Sequence, residues 1–278
     1  MRVNKRVIKR VNKLDNHNIM KRIFFLIFTA ALLASCSSTF NIQGTSDVQN
    51  LDGRMLYLKA VKGDQLKNID SCDVVHGQFT FKGNLDTVKV GALYIDDESI
   101  MPIVLEDGEI VIQFNTAKQT CTGTPLNDSL AVFIEKYNRI SNQIADLGHQ
   151  QSRAIMDGED MDVVNHELSQ KAAMLDQECD RIVTTFIEDN FDNILGPYVF
   201  QMVTSAMEIP LTNAWIDALM TKATTKFKND PYVKEFMQAA ERNQAIMTGM
   251  EEPTSAPVPE NNEEAAPPTP NQMAEPGK

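Results

Sequence analysis

The stretch Glu109-Ile110-Val111-Ile112-Gln113-Phe114, followed by Gly123-Thr124-Pro125-Leu126-Asn127 and then Leu130, Phe133, Ile134, Tyr137, Ile140 and Ile144, decides the fold, because the period of its apolar residues changes within it. Up to Phe114 the spacing is that of a strand with one buried face. From Leu130 apolar residues recur every three or four positions, the spacing of an amphipathic helix. Thr124 suits an N-cap and Pro125 the first helical position, where a missing N–H costs nothing. A helix is predicted from Pro125 to about Ile155.

Back toward the N-terminus, short apolar runs are separated by turn residues: Phe40 to Gly44, Met55 to Val61, Asp70 to Val75, Gln78 to Lys82, Val88 to Ile95 and Ser99 to Leu105. His76-Gly77 is predicted to close a hairpin between the third and fourth runs, and Asp107-Gly108 separates Ser99 to Leu105 from Glu109 to Phe114. Strands at this spacing predict an antiparallel β-sandwich or small barrel over residues 36–120.

Toward the C-terminus, Gly158 interrupts the helical period, and Val163 to Glu188 resumes it with Leu168, Ala172, Leu175, Ile182 and Phe186 on one face. Three shorter helices are predicted near Tyr198 to Ala206, Thr212 to Ala223 and Pro231 to Met247, the first two separated by Pro210. Residues 121–248 form a helical region, and the fold class is α+β. Residues 249–278 carry seven of the twelve prolines, six glutamates and few large apolar side chains. Such a segment cannot offset its ordering entropy by burial, and a disordered acidic tail is predicted.

The other end of the chain reads as an address. Lys21-Arg22, the apolar run from Ile23 to Leu33, and then Ala34-Ser35-Cys36 have the order of a bacterial lipoprotein signal. The run is shorter than the roughly 20 apolar residues a membrane-spanning helix needs. Residues 1–35 are predicted to be a signal peptide, with a probable-start methionine at Met20, cleavage between Ser35 and Cys36, and lipidation of Cys36. Ser37-Ser38-Thr39 holds no acidic residue, and its resemblance to a lipoprotein sorting rule, in which an acidic stretch there marks surface display, implies an outer-membrane lipoprotein facing the periplasm.

Residues 1–35 hold eight Lys or Arg and one Asp, so residues 36–278 carry 18 bases against 37 acids, a net charge of −19. That balance opposes nucleic-acid binding, which depends on neutralising phosphates, and leaves membrane attachment to the lipid chains.

Asp70-Ser71, the segment Gly77-Gln78-Phe79-Thr80-Phe81-Lys82-Gly83, Gly123 to Asn127 opening a helix, and Phe186-Ile187-Glu188-Asp189-Asn190 with Asn193 and Gly196 together give the chain a family likeness. Over roughly residues 38–248 it resembles a Bacteroidota-type envelope lipoprotein domain of unknown function that usually precedes a thioredoxin-like domain of the thiol-disulfide interchange type. Its glycines are read as permitting tight turns, while Phe79 and Phe81 face a core. The resemblance implies a fold and an envelope location, and it carries no mechanism. Thiol exchange of the relatives' type needs a Cys-x-x-Cys pair, and none occurs in the 278 residues.

After Cys36 the cysteines are Cys72, Cys121 and Cys179. An oxidising compartment favours a disulfide between Cys72 and Cys121, both in the strand region; the alternative is three unpaired thiols. Cys179 lies between Glu178 and Asp180, whose charges should raise its pKa. His76, His149 and His166 have no partner at zinc-ligand spacing. Asp96-Asp97-Glu98 and Glu106-Asp107 could meet in one sheet and hold calcium, or be solvated turn charges. Trp215 sits among apolar helix positions and is read as core rather than a ligand platform.

No serine-nucleophile, phosphate-loop or dinucleotide motif is present in the sequence. The expectation is a non-enzymatic, lipid-anchored accessory protein that binds an envelope protein and uses no cofactor. The alternatives are binding of a small molecule or glycan between the β and helical parts, and service to a separate thiol-disulfide oxidoreductase.

Overall fold

The computed structural model describes residues 38–62, 65–115 and 118–251. The expected signal peptide with Ser35, the expected lipidation site Cys36 and residues 252–278 of the expected acidic tail lie outside the described residues.

Eight strands form two four-stranded sheets. They are β1 (Ser38–Ser46), β2 (Met55–Lys62), β3 (Gln65–Asp73), β4 (Gln78–Leu85), β5 (Lys89–Ile95), β6 (Glu98–Leu105), β7 (Gly108–Phe114) and β8 (Gln119–Thr122). One sheet has the order β4-β1-β7-β8 and the other β3-β2-β5-β6. Alternation puts Phe40, Ile42, Phe81, Ile110 and Ile112 of the first against Leu56, Leu58, Leu93 and Ile103 of the second, forming a continuous apolar core. The sandwich form is thereby settled over the barrel.

Several details depart from the expectation. The last short strand, β8, was too brief to show in the periodicity. β1 and β7 run parallel, with Ile42 opposite Ile110, while the other pairs are antiparallel. His76 and Gly77 both take positive φ, 51° and 70°, as a two-residue type I′ turn requires, and Val75 and Gln78 exchange both backbone hydrogen bonds. No paired hairpin follows, because β3 leaves to pair with β2 and β4 to pair with β1. Gly83 is not a turn residue either. It lies within β4 opposite Phe40, whose ring covers it, and Phe79 covers Gly44 in the same strand pair. A Cβ on Gly44 would stand 2.0 Å from the Phe79 ring, so the glycine makes room for the aromatic.

The helices are α1 (Pro125–Asp157), α2 (Met161–Asp189), α3 (Leu195–Thr204), α4 (Ala214–Lys222), α5 (Thr225–Lys228) and α6 (Pro231–Met247). Thr124 and Pro125 occupy the N-cap and first position of α1 as predicted. Gly158 ends α1 in the left-handed conformation, φ 71°, and the side chain of Asp160 caps α2 through the Asp162 N–H. α3 to α6 gather around Phe200, which meets Trp215, Phe227, Tyr232 and Phe236 ring to ring. This second core takes in Val104 and Val90 from β6 and β5, which joins the helical region to the sandwich.

Lys118, just before β8, pairs with Glu135 in α1 at 2.7 Å. α1 therefore starts where β8 ends and runs back beside it. At about 1.5 Å per residue α1 is roughly 50 Å long, against about 30 Å for a nine-residue strand, so its later half continues past the sheets paired with α2.

Candidate functional site

The joint between sandwich and helices is built from three buried polar residues, Glu106, Thr124 and Asn127. Asn127 lies in the first turn of α1, and its side-chain amide faces β6. Its Oδ1 accepts from the Val104 N–H at 2.9 Å and its Nδ2 donates to the Val104 carbonyl at 2.7 Å. One side chain thus supplies what a neighbouring strand would give this edge. Nδ2 also donates to Thr124 Oγ1 at 2.8 Å, which leaves the N-cap hydroxyl without its usual bond to the helix. Glu106 takes over that duty from the end of β6: its Oε1 accepts from the N–H groups of Leu126 and Asn127 at 2.8 and 3.1 Å. A carboxylate there also meets the positive end of the α1 dipole.

The cysteines stay apart. Cys72, Cys121 and Cys179 are free thiols, so the disulfide between Cys72 and Cys121 is not formed in this structure. The two belong to edge strands of opposite sheets, and the Cys121 thiol turns toward α1, donating to Asn127 Oδ1 at 3.2 Å. Burial, with Asp128 and Glu106 adding to it, pushes the Cys121 thiol up to about 12. Burial is also the largest cause of the upward shifts at Cys72 and Cys179, with Asp180 and Asp176 contributing at Cys179. Glu178 is not among the causes, so the sequence reading had the direction and one of the two neighbours. All three thiols are held in the protonated form that does not attack disulfides.

The two acidic groups, read as either a calcium site or solvated turn charges, are separated by the length of β6, with Glu98 at its start and Glu106 just past its end. Asp96 pairs with Arg54, and Asp97 lies 3.9 Å from Lys59. Glu106 is spent on the helix start and Asp107 accepts from the Thr39 N–H. His76, His149 and His166 are exposed on three different elements, His166 beside Gln170 at 3.0 Å. Among the described residues no group of three or more His, Cys, Asp or Glu side chains is placed to hold a metal ion. Trp215 stacks on Phe200 and donates from its indole N–H to Thr184 Oγ1 at 2.7 Å, as a core residue.

The open surfaces lie along the helical hairpin. Near its base a groove of about 540 Å³ runs between α1 and α2, floored by Phe133 and Phe186, whose rings stack at 4.4 Å. Val132, Lys136 and Arg181 stand at its sides, with Asp128 and Asp189 among them. Farther out a shallower groove of about 680 Å³ holds Arg139, Lys171, Met174 and Leu175 with Asp146 and several neutral amides. Met174 is 70 % exposed. Mixed charge around exposed apolar side chains suits recognition of a protein surface. The sequence singled out none of these residues for binding, since side chains such as Phe133 and Phe186 that meet across the hairpin lie far apart in the chain and leave no local motif.

The outer face of the second sheet offers one further cluster. Tyr57 and Tyr94 are direct cross-strand neighbours, and the Lys59 ammonium sits 5.6 and 4.5 Å from their ring centroids. No helix among the described residues is long and apolar enough to cross a membrane.

Residues 40–130 match the family model of a domain of unknown function (DUF4369). The match runs from Phe40 within β1 through β8 to Leu130, so it contains Glu106, Thr124 and Asn127. No curated protein and no solved structure matches the chain.

Proposed function

We propose that this chain is a lipid-anchored cell-envelope protein of the Bacteroidota type, held at the periplasmic face of the outer membrane through Cys36, that works without catalysis by binding an envelope protein along the α1/α2 hairpin. The observation that carries the reading is the hairpin itself. Its outer half packs chiefly against its own partner helix, so the seam there is half-buried, and the hairpin carries Val132 near its base and Met174 and Val163 farther out into solvent. A protein that needed only a stable fold gains little from about 20 Å of helix beyond the sheets. The acidic segment after Thr248 serves as a spacer or recruiting arm.

Two other readings have less behind them. A glycan could use Tyr57 and Tyr94, but Lys59 already lies over both rings. The cleft between β and helical parts that such a ligand was expected to use is filled where Asn127 meets Val104. Partnership with a thioredoxin-like oxidoreductase requires an accessible thiolate, and the three thiols are shifted away from that state.

The test is cross-linking in intact cells with mass spectrometry, using the full chain, a chain truncated after Thr248, and the hairpin variants Val132→Glu and Met174→Glu. A discrete envelope protein captured by the full chain and lost in the hairpin variants supports the reading. The same capture by all four chains refutes the hairpin as the binding surface, and a mixed disulfide to a thioredoxin-like protein replaces the reading with the redox one.

A further inference from the structure

Strand register fixes which end of the sandwich lies nearest the anchor residue. β1 begins at Ser38, so one residue separates it from Cys36, and two Cα steps cover about 8 Å at most. Ser38 is opposite Leu85 at the end of β4, and Phe40 is opposite Gly108 at the start of β7. The chain passes from Leu85 through Val88 into β5, and from Leu105 through Asp107 into β7, so both crossings lie at this end. Ala60 opposite Gly91 brings the end of β2 here too, with Val61 paired to Leu66 of β3.

Three apolar side chains crown this rim without cover: Val61 is 63 % exposed, Leu66 51 % and Val88 45 %. Around them Lys67, Lys82 and Lys89 offset Asp86, Asp107 and Glu109, so the rim is nearly neutral in a mature chain that is otherwise strongly acidic. We infer that the rim bearing Val61, Leu66 and Val88 is a membrane-contact surface that rests on the bilayer holding Cys36. The inference rests on the lipid anchor proposed above. A lipid chain buried at Cys36 and a link of about 8 Å leave the sandwich no room to stand clear of the headgroups. The rim supplies the apolar side chains that such contact buries, and its balanced charge does not oppose it. α1 leaves this end at Pro125 and runs back along β8, as the Lys118–Glu135 pair shows, so the Gly158 end of the hairpin points away from the bilayer.

The experiment uses the full chain, made in a host that lipidates it and reconstituted in vesicles of phosphatidylethanolamine and phosphatidylglycerol. Palmitate incorporation, with Cys36→Ala as the control, first establishes the anchor. A photoreactive benzophenone amino acid is then placed at position 61, 66 or 88, and for comparison at Val75 or Met156, which are 59 % and 78 % exposed at the far end of the sandwich and near the tip of the hairpin. Lipid adducts at least fivefold more abundant at the three rim positions support the inference. Equal labelling at the comparison positions, or none at the rim in a chain that carries palmitate, overturns it and leaves the anchor standing. A chain without palmitate at Cys36 overturns the anchor and the inference together.

Discussion

Replacing Asn127 with alanine should loosen the sandwich from its helices, and the structure sets the scale. The side chain is 1 % exposed and holds both backbone groups of Val104, itself fully buried. Alanine strips the Val104 N–H and carbonyl of their partners and removes a donor from Thr124 Oγ1, with no water path to replace them. Each orphaned buried group costs about 1–3 kcal/mol, and the removed amide leaves a small cavity, so a total near 3 kcal/mol is expected. For a fold of this size that lowers the melting temperature by roughly 6–12 °C. Asn127→Asp separates the hydrogen bonds from mere shape. The carboxylate can still accept from Val104, but it cannot donate to the Val104 carbonyl, and Nδ2 of the native residue lies 3.4 Å from Glu106 Oε1. Burial and that neighbour raise the aspartate's pKa in the fold above its unfolded value. Its penalty is therefore full at neutral pH and shrinks as pH falls through the raised folded pKa, where the protonated acid donates again. The assay is urea unfolding of residues 37–278 at pH 7.5 and pH 5, with hydrogen exchange at the Val104 amide. A loss below 1 kcal/mol for Asn127→Ala, or an Asn127→Asp penalty that is the same at both pH values, refutes the strand-like role.

Other consequences are as direct. Glu106→Gln keeps an acceptor for Leu126 and Asn127 but removes the charge at the start of α1, and should cost about 1 kcal/mol in urea unfolding, while Glu106→Ala should cost about 2. Cys121 is pushed up to about 12 in the fold, while the unfolded thiol ionises near about 8.5, so stability is intact below that value and falls as pH rises from there to 12. Its share of the fall should be on the order of 1 kcal/mol per pH unit, and Cys121→Ala should remove that share in unfolding measured between pH 7 and 11, leaving the part due to Cys72 and Cys179. Gly44→Ala must displace the Phe79 ring from its place beside Phe114 and should cost about 2–3 kcal/mol, whereas Gly44→Ala with Phe79→Leu should recover part of that loss in thermal melts. Gly158→Ala faces open space but a positive φ, so it should cost only about 1 kcal/mol without altering helix content by circular dichroism.

What the sequence determined by itself was everything that repeats locally. The apolar period placed α1, α2, α3, α4 and α6 within a few residues of their observed ends, and Gly158 and Pro125 marked boundaries because a left-handed residue and a residue without an N–H have few other places to go. An antiparallel sandwich or small barrel followed in the same way from alternation and turn residues, and the packing of two separate sheets chose the sandwich. Only the tertiary structure decided which strands pair. The His76-Gly77 turn is real, yet its flanking strands part into opposite sheets, because β3 pairs back onto its immediate predecessor β2 while β4 crosses to the distant β1, a choice of partner that no local pattern records. The joint was hidden for the same reason. Glu106 read as a turn charge and Asn127 as a polar residue near a helix start, and their roles exist only once β6 and α1 meet across 21 residues of sequence. Period is a property of neighbours in the chain, whereas an edge to be closed, a helix start to be capped and a rim to be buried are properties of surfaces that form when distant segments pack.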